Sequence, residues 1–353
     1  MPTTVEVHAG DRPYEVVIGA GSRHLLPAIV ERLGARRAVV VSARPEPWVP
    51  DPGVPSTVVP AHDGEHAKTL ATVQDLCARF AAFGLSRSDV VVTCGGGTTT
   101  DVAGLAAALY HRGVAVVHVP TTLLAQVDAS VGGKTAVNLP AGKNLVGAYW
   151  QPAAVLCDTD YLSTLPPRQR RNGLGEIARC HFIGAGDLSG LTTEEQIAAG
   201  VALKADVVSR DERDTGLRHI LNYGHTLGHA LEIATDFRLY HGEAVAVGTV
   251  FAGRLAHSLG RIGAARAAEH DAVVRHYGLP AALPEDVAAE DLIGVMRHDK
   301  KAVDGLGFVL DGDGGPALVA GVDAETVRRV LGEMPRQPLD DMVAGDAEPA
   351  GAR

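Results

Sequence analysis

The sequence predicts a two-part α/β protein: an N-terminal, mostly parallel-sheet domain with a candidate nucleotide-binding turn, then a mainly helical domain, to which the metal residues and several of the substrate residues considered below belong. Three observations lead there. Val-rich runs alternate with helical stretches through the first half, the pattern of a parallel sheet covered by its crossover helices. From about Leu165 to Asp299 nearly every segment reads as helix. A glycine triplet, Gly95-Gly96-Gly97, closes one Val-rich run just before a helix begins near Thr99. There backbone amides can approach a phosphate. The spacing is not G-x-G-x-x-G, so a merely tight turn stands beside that reading.

In chain order, VEVHAG and YEVVIG form a strand pair. RRAVVVS, STVVP, DVVVTC and VAVVHVP are buried strands, rich in Val and bounded by Gly, Pro or charge. HAKTLATVQDLCARFAAFG and TTDVAGLAAALYHRG have helical periodicity. The second-half helices are RQRRNGLGEIARC, TEEQIAAGVALKADVV, LRHILNYGHTLGHALEIA, HGEAVAVGTVFAGRLAHSL and AARAAEHDAVVRHYG. A hairpin at GFVLDGDGGPALVA and a helix at AETVRRVLGEM follow. The expected boundaries are 1–165 for the nucleotide domain and 166–334 for the helical one, with a disordered tail over 335–353, rich in Pro, Asp, Gly and Ala.

Composition narrows the function classes. The 353 residues suit two domains, and with only 4% aromatics the core must be Ala, Val and Leu. A net charge of -10 gives no global attraction for nucleic acid or an anionic membrane. An anionic substrate therefore needs a local cluster of cations. Cys77, Cys94, Cys157 and Cys180 form no C-x-x-C pair, so neither a disulfide framework nor a thiolate metal site is expected. MPTTVEVHAGDRPYEV lacks a basic region followed by an apolar run, and no uncharged apolar stretch reaches membrane length. A cytoplasmic protein is expected.

Two further constellations carry chemistry. His225 and His229 lie four apart in LNYGHTLGHALE, on one helical face; His241 opens the next helix and Glu176 lies upstream in GLGEIARC. Imidazoles with a carboxylate suit a divalent metal such as zinc. Spacing alone favours His225 with His229 as the ligand pair. The segment DASVGGKTAVNLPAGKNLVGA places Asp128, Lys134, Lys143 and Asn144 in a Gly-rich stretch expected to be loop. Arg112 precedes it, and Lys204, Arg218, Lys300 and Lys301 follow. Such cations suit a phosphorylated, carboxylated small molecule; solvated surface lysines are the alternative.

GGGTTTDVAG, YHRG, VPTTLLAQVDASVGGKTAVN, GKNLVGAYWQP, DTDYLSTLP, DERDTGLRHILNYGHTLGHALE, HGEAVAVG and DKK occur in this order. From about Glu65 to Leu310 the chain resembles the 3-dehydroquinate synthases and their sugar-phosphate-cyclase relatives. The resemblance implies NAD and a divalent metal, zinc or cobalt, as cofactors. It implies Glu176, His225 and His241 as metal ligands, which moves His229 to a position near the substrate. It implies NAD contacts at Glu65, Lys68, Gly96, Gly97, Asp101, Thr121, Thr122, Thr164 and Leu165, with Asp128, Lys134 and Lys143 shared with the substrate. Arg112, Asn144, Lys204, Arg218, Asn222, His229 and the DKK lysines Lys300 and Lys301 complete the implied substrate set. The family reaction converts 3-deoxy-D-arabino-heptulosonate 7-phosphate to 3-dehydroquinate and phosphate, in the shikimate pathway, regenerating NAD. A homodimer is the family expectation.

Three departures qualify the resemblance. Arg179 stands where a lysine is usual, three residues after Glu176, and is expected to face the substrate as a fixed cation. The segment from Arg179 to Lys204 is short. Ala43 stands where an acid usually meets the adenosine ribose. Another cyclase of secondary metabolism, such as an aminodehydroquinate synthase, is the main alternative. A glycerol-dehydrogenase-type polyol dehydrogenase and a silent paralogue kept for binding are further ones.

Overall fold

A computed structural model describes residues 2–10, 13–61, 64–140, 142–297 and 305–344. The chain divides into two compact units, residues 1–165 with 192–213 and residues 166–191 with 214–353.

The first unit is built on a seven-stranded sheet. Its strands are β1 (Thr3–Val7), β2 (Tyr14–Ile18), β3 (Ala38–Ser42), β4 (Ser56–Pro60), β5 (Val90–Gly95) and β6 (Ala115–Pro120), joined, after the separate hairpin β7 (Lys134–Leu139) and β8 (Gly142–Tyr149), by β9 (Ala154–Cys157). The order is β1-β2-β9-β6-β5-β3-β4, parallel except for β1 with β2. Side-chain alternation sends Val39 and Val41 of β3 to one apolar cluster and Ala38 and Val40 to the other, so both sheet faces are core. Helices α1 (Leu26–Arg32), α2 (Leu70–Phe83) and α3 (Gly97–Leu109) supply Leu26, Phe80 and Leu105 to those clusters. The chain leaves β3 for β4 on one side and re-enters at β5 on the other. That reversal opens a crevice at the carboxyl ends of β3 and β5, the usual ligand position in such sheets.

Two expectations change here. Much of the Gly-rich lysine segment is not loop: Lys134–Leu139 and Gly142–Tyr149 pair as the hairpin β7–β8, with Thr135 and Val137 turned inward. Its glycines are steric, since a side chain at Gly147 would fall 2.2 Å from the Thr135 carbonyl. Next, α4 (Pro167–Cys180) lies in the second unit, whereas α5 (Thr193–Arg210) lies in the first, packed on β1, β2 and the helical turn Ala125–Ala129. The sequence reading had assigned α5 to the helical domain.

The second unit is organised around α7 (His241–Ser258), buried on nearly every face by α4, α6 (His225–Ala234) and α8 (Ala264–His276). Small residues let these helices close up. A Cβ on Gly175 of α4 would meet the Gly242 carbonyl at 2.2 Å, and one on Gly248 would meet the Gly224 carbonyl at 1.9 Å. Beyond α8 come β10 (Leu283–Pro284), α9 (Ala289–Arg297), the hairpin β11 (Leu306–Leu310) and β12 (Ala317–Val322), and α10 (Ala324–Glu333). The expected disordered tail begins too early: Arg336–Gln337 is a strand, β13, parallel to β10, and Leu339–Val343 is a helix, α11. Residues 345–353 and the lysines Lys300 and Lys301 lie outside the described residues. No helix among the described residues is long and apolar enough to cross a membrane.

Candidate active site

In the first unit the glycine triplet is the turn from β5 into α3. A Cβ on Gly95 would fall 2.3 Å from Thr99 Oγ1, and one on Gly96 would press on the Thr122 methyl at 3.2 Å. Gly96 caps α3 without a side chain, so the first helical amides of a 13-residue helix stay open to an anion. The Thr121 amide donates to the Gly95 carbonyl (2.9 Å), which ties the ends of β6 and β5 together. Beside this turn lies a cavity of about 240 Å³ lined by Val41, Pro60, Ala67, Thr72, Thr98 and Val102. Largely apolar walls, with Asp75 and Arg79 also lining the cavity, next to the open amides of α3 fit the adenosine end of a dinucleotide.

The charged side chains of this unit form a connected network. Lys68 Nζ donates to Asp101 Oδ2 and to Asn144 Oδ1, both at 2.6 Å. Asn138 donates from Nδ2 to Glu65 (2.7 Å) and accepts the Asn144 amide at Oδ1 (2.8 Å). Lys143 stands 3.8 Å from Glu65. Asn144, near the start of β8, adopts a left-handed φ of 54°, which Asn tolerates better than most residues, and its side-chain carbonyl oxygen is held by Lys68. The Nδ2 end is thereby left as the donor for an anion. Lys204 on α5 donates to the Asp128 carbonyl (2.6 Å) and pairs with its carboxylate (2.9 Å). Thr164 receives a hydrogen bond from Arg44; Leu165 is half-buried and Lys134 exposed.

Arg112 is not with them. It stands exposed, at φ 63°, beside a 760 Å³ hollow lined by Arg87, His111 and Trp150, before the amino end of β6. Thr121 follows the carboxyl end of that strand, roughly 25 Å further on at the rise of an extended chain.

In the second unit Glu176, His225 and His241 bring one ligand atom each within 4.8 Å of one another. His229, Glu232 and His241 form a second such trio. Glu176 is fully buried, and neither carboxylate oxygen accepts a hydrogen bond of proper geometry. His241 Nε2 stands 3.2 Å and His225 Nε2 3.6 Å from Glu176 Oε1. The far nitrogens are already used: His225 Nδ1 meets the Tyr223 carbonyl at 3.1 Å, and His241 Nδ1 meets Glu232 at 3.3 Å. That fixes the rings with Nε2 facing Glu176, as in a carboxylate–histidine metal site. Two imidazoles and a carboxylate therefore fit a divalent ion. Burial pushes His225 down to about 3 against the pull of Glu176. Burial also opposes charge on His241, yet Glu176 and Glu232 on either side raise it to about 10.

The helix positions that create this arrangement are held from behind. Glu243, fully buried, accepts from Arg168, Arg171 and the Tyr240 amide, which pins the amino end of α7 where His241 sits. Asn172 on α4 accepts the Gly242 amide at 2.6 Å. Asn222 ends the turn Leu217–Asn222 just before α6, and Arg218 in that turn is 1% exposed.

Arg179 departs from expectation. It shares the inner face of α4 with Glu176, but its Nε lies 2.5 Å from Glu176 Oε2 and it donates to the Leu221 carbonyl; it is 2% exposed. Three residues of helix bring the two side chains into direct contact, and a buried carboxylate is the stronger partner. Sequence reasoning also missed Asn138, Tyr223 and Glu232. Glu232 was legible, because positions 225, 229 and 232 form one helical stripe.

Residues 58–172 match the family described as 3-dehydroquinate synthase N-terminal, and residues 175–302 match 3-dehydroquinate synthase C-terminal. The chain is 68% identical over 343 residues to a protein of Amycolatopsis mediterranei (strain S699) provisionally described as aminodehydroquinate synthase, covering 97% of this chain and 98% of that one. It is 42% identical over 372 residues to the 3-dehydroquinate synthase of Nitrobacter winogradskyi, covering 94% and 95%. Among solved structures it is similar to 2-deoxy-scyllo-inosose synthase complexed with carbaglucose-6-phosphate, NAD+ and Co2+, with a TM-score of 0.86, 31% identity, and 94% and 100% of the two chains covered.

Proposed function

The chain belongs to the 3-dehydroquinate synthase family, and from that premise we propose that it cyclises an amino-substituted heptulosonate 7-phosphate with release of phosphate, forming the amino analogue of 3-dehydroquinate. The observation that carries the amino substrate is the 68% identity to the aminodehydroquinate synthase relative, against 42% to a 3-dehydroquinate synthase, at nearly equal coverage. The unsubstituted heptulosonate phosphate is the second reading, favoured by the intact SVGGKT and GKN stretches.

In this reading Glu176, His225 and His241 hold zinc or cobalt, and the turn Gly95–Gly97 holds the pyrophosphate of NAD. When bound, the metal supplies a Lewis acid and the dinucleotide a reversible hydride acceptor. The protein's own residues bind and orient. Asn144 Nδ2 and the Lys134 and Lys143 ammonium groups take the phosphate, whose charge rises as it leaves. Lys204, fixed on Asp128, adds a positioned cation. Arg218, Asn222 and His229, which the second unit carries together with the metal ligands, take the polar groups of the sugar acid. His229 is the residue of that set whose side chain has the chemistry to accept or return a proton.

The test offers purified protein, NAD and Co2+ the two heptulosonate 7-phosphates separately and in competition. Phosphate release at the higher kcat/KM with the amino compound, without accumulation of NADH, is the expected result. Preference for the hydroxy compound moves the assignment to 3-dehydroquinate, and stoichiometric NADH moves it to a dehydrogenase.

A further inference from the structure

Glu176 carries a burden unlike that of the two histidines. It is a carboxylate with no exposed surface, and such a group is costly to bury without a counter-charge. A metal would supply that charge when bound, and the chain carries a second cation of its own beside the carboxylate. Arg179 stands one helical turn along α4, 2% exposed, with its Nε 2.5 Å from Glu176 Oε2.

The two oxygens of Glu176 face different partners. Oε2 faces the guanidinium, while Oε1 faces His241 Nε2 at 3.2 Å and His225 Nε2 at 3.6 Å. The guanidinium is held in turn by the Leu221 carbonyl, in the turn that leads to Tyr223 and α6. Arg179 thus links α4, which carries the carboxylate, to the segment that presents His225. Arginine suits this post, because its guanidinium lies against the carboxylate through Nε while Nη1 donates to the Leu221 carbonyl, and it never gives up its proton.

We propose that Arg179 is a built-in counter-ion for Glu176, which occupies Oε2, leaves Oε1 as the metal-facing oxygen, and preforms the site at the expense of metal affinity. The inference rests on the reading that Glu176, His225 and His241 hold the metal. Its sign follows from Coulomb's law: a fixed cation touching a ligand carboxylate repels an incoming dication and competes for the same charge. Arg179 is therefore a positioning residue. Removing it should tighten metal binding while weakening the metal-free fold, whereas removing an ordinary scaffold residue weakens both.

The experiment measures Co2+ affinity by chelator competition, and thermal midpoints with and without Co2+, for the parent, Arg179→Met, Arg179→Lys and His241→Ala. In Arg179→Met the metal-free midpoint should fall, the Co2+ Kd should drop by about 10-fold or more, and the Co2+-loaded midpoint should return close to the parent's. Arg179→Lys should lie between the two. If Arg179→Met does not fold alone, Co2+ should restore its folding. A Kd unchanged or raised in Arg179→Met, an equal fall in both midpoints, or no rescue by Co2+ overturns the proposal. If His241→Ala binds Co2+ as the parent does, the metal reading itself fails, whatever Arg179 does.

Discussion

His241 Nδ1 stands 3.3 Å from Glu232 Oε2, while Nε2 of the same ring stands 3.2 Å from Glu176 Oε1. One imidazole thus lies between two carboxylates, one on its own neighbouring helix and one on α4. With Nδ1 committed to Glu232, the lone pair that a metal needs is directed to the Glu176 side.

Glu232→Gln should therefore weaken Co2+ binding by about 10- to 100-fold while leaving the fold intact. Equilibrium dialysis and circular dichroism read the two halves of this statement. Unchanged affinity would remove Glu232 from the support of the site.

Lys68→Met should raise the Kd for NAD by about 10-fold or more, because it releases Asp101 and Asn144 together. Isothermal titration of the metal-loaded protein reads this directly. An unaltered Kd would show that the Lys68 network serves the hairpin β7–β8 and not the cofactor.

Gly175→Ala should cost about 2–3 kcal/mol, since its new methyl would fall 2.2 Å from a backbone carbonyl that cannot give way cheaply. Gly190→Ala, with no atom within 4 Å of the added Cβ, should be close to neutral. Urea midpoints of the two variants decide, and equal midpoints would refute the close approach of α4 to α7.

His118 gives a pH dependence outside the metal site. It is 3% exposed, its Nδ1 meets Thr93 Oγ1 at 2.9 Å, and burial pushes it down to about 4. A histidine depressed in the folded state protonates more readily when unfolded. Its stabilisation is full above the ordinary value of about 6.5 and is lost as pH falls from there to about 4, on the order of 3 kcal/mol in all. His118→Gln should flatten the fall in urea midpoint between pH 7 and pH 4.5, and an unchanged slope would count against the depressed value.

The sheet was legible because a parallel strand buried on both faces must be apolar throughout, and runs such as DVVVTC and VAVVHVP allow little else. The hairpin β7–β8 was read as loop because Gly, Lys and Asn dominate it, although Thr135 and Val137 already alternate. Helical spacing paired His225 with His229, since sequence shows neighbours along one helix but not the ring that α7 brings across. The same limit applies to Arg179. Spacing placed it on the face of Glu176 without revealing that the two would grip each other. Periodicity made α5 a helix but could not say which core it would cover, because any amphipathic face fits either.

That placement of α5 has a consequence for how this protein can be divided. The first unit closes only with residues 192–213, which are encoded after the first segment of the second. A fragment ending at residue 165 would lack the helix that covers β1 and β2 and would lack Lys204, the partner of Asp128. Neither unit is therefore a portable cassette. Recombination at a single crossover, or a ribosome releasing the chain piece by piece, meets an unfinished core until more than half of the polypeptide exists, which favours inheritance and folding of the whole as one piece.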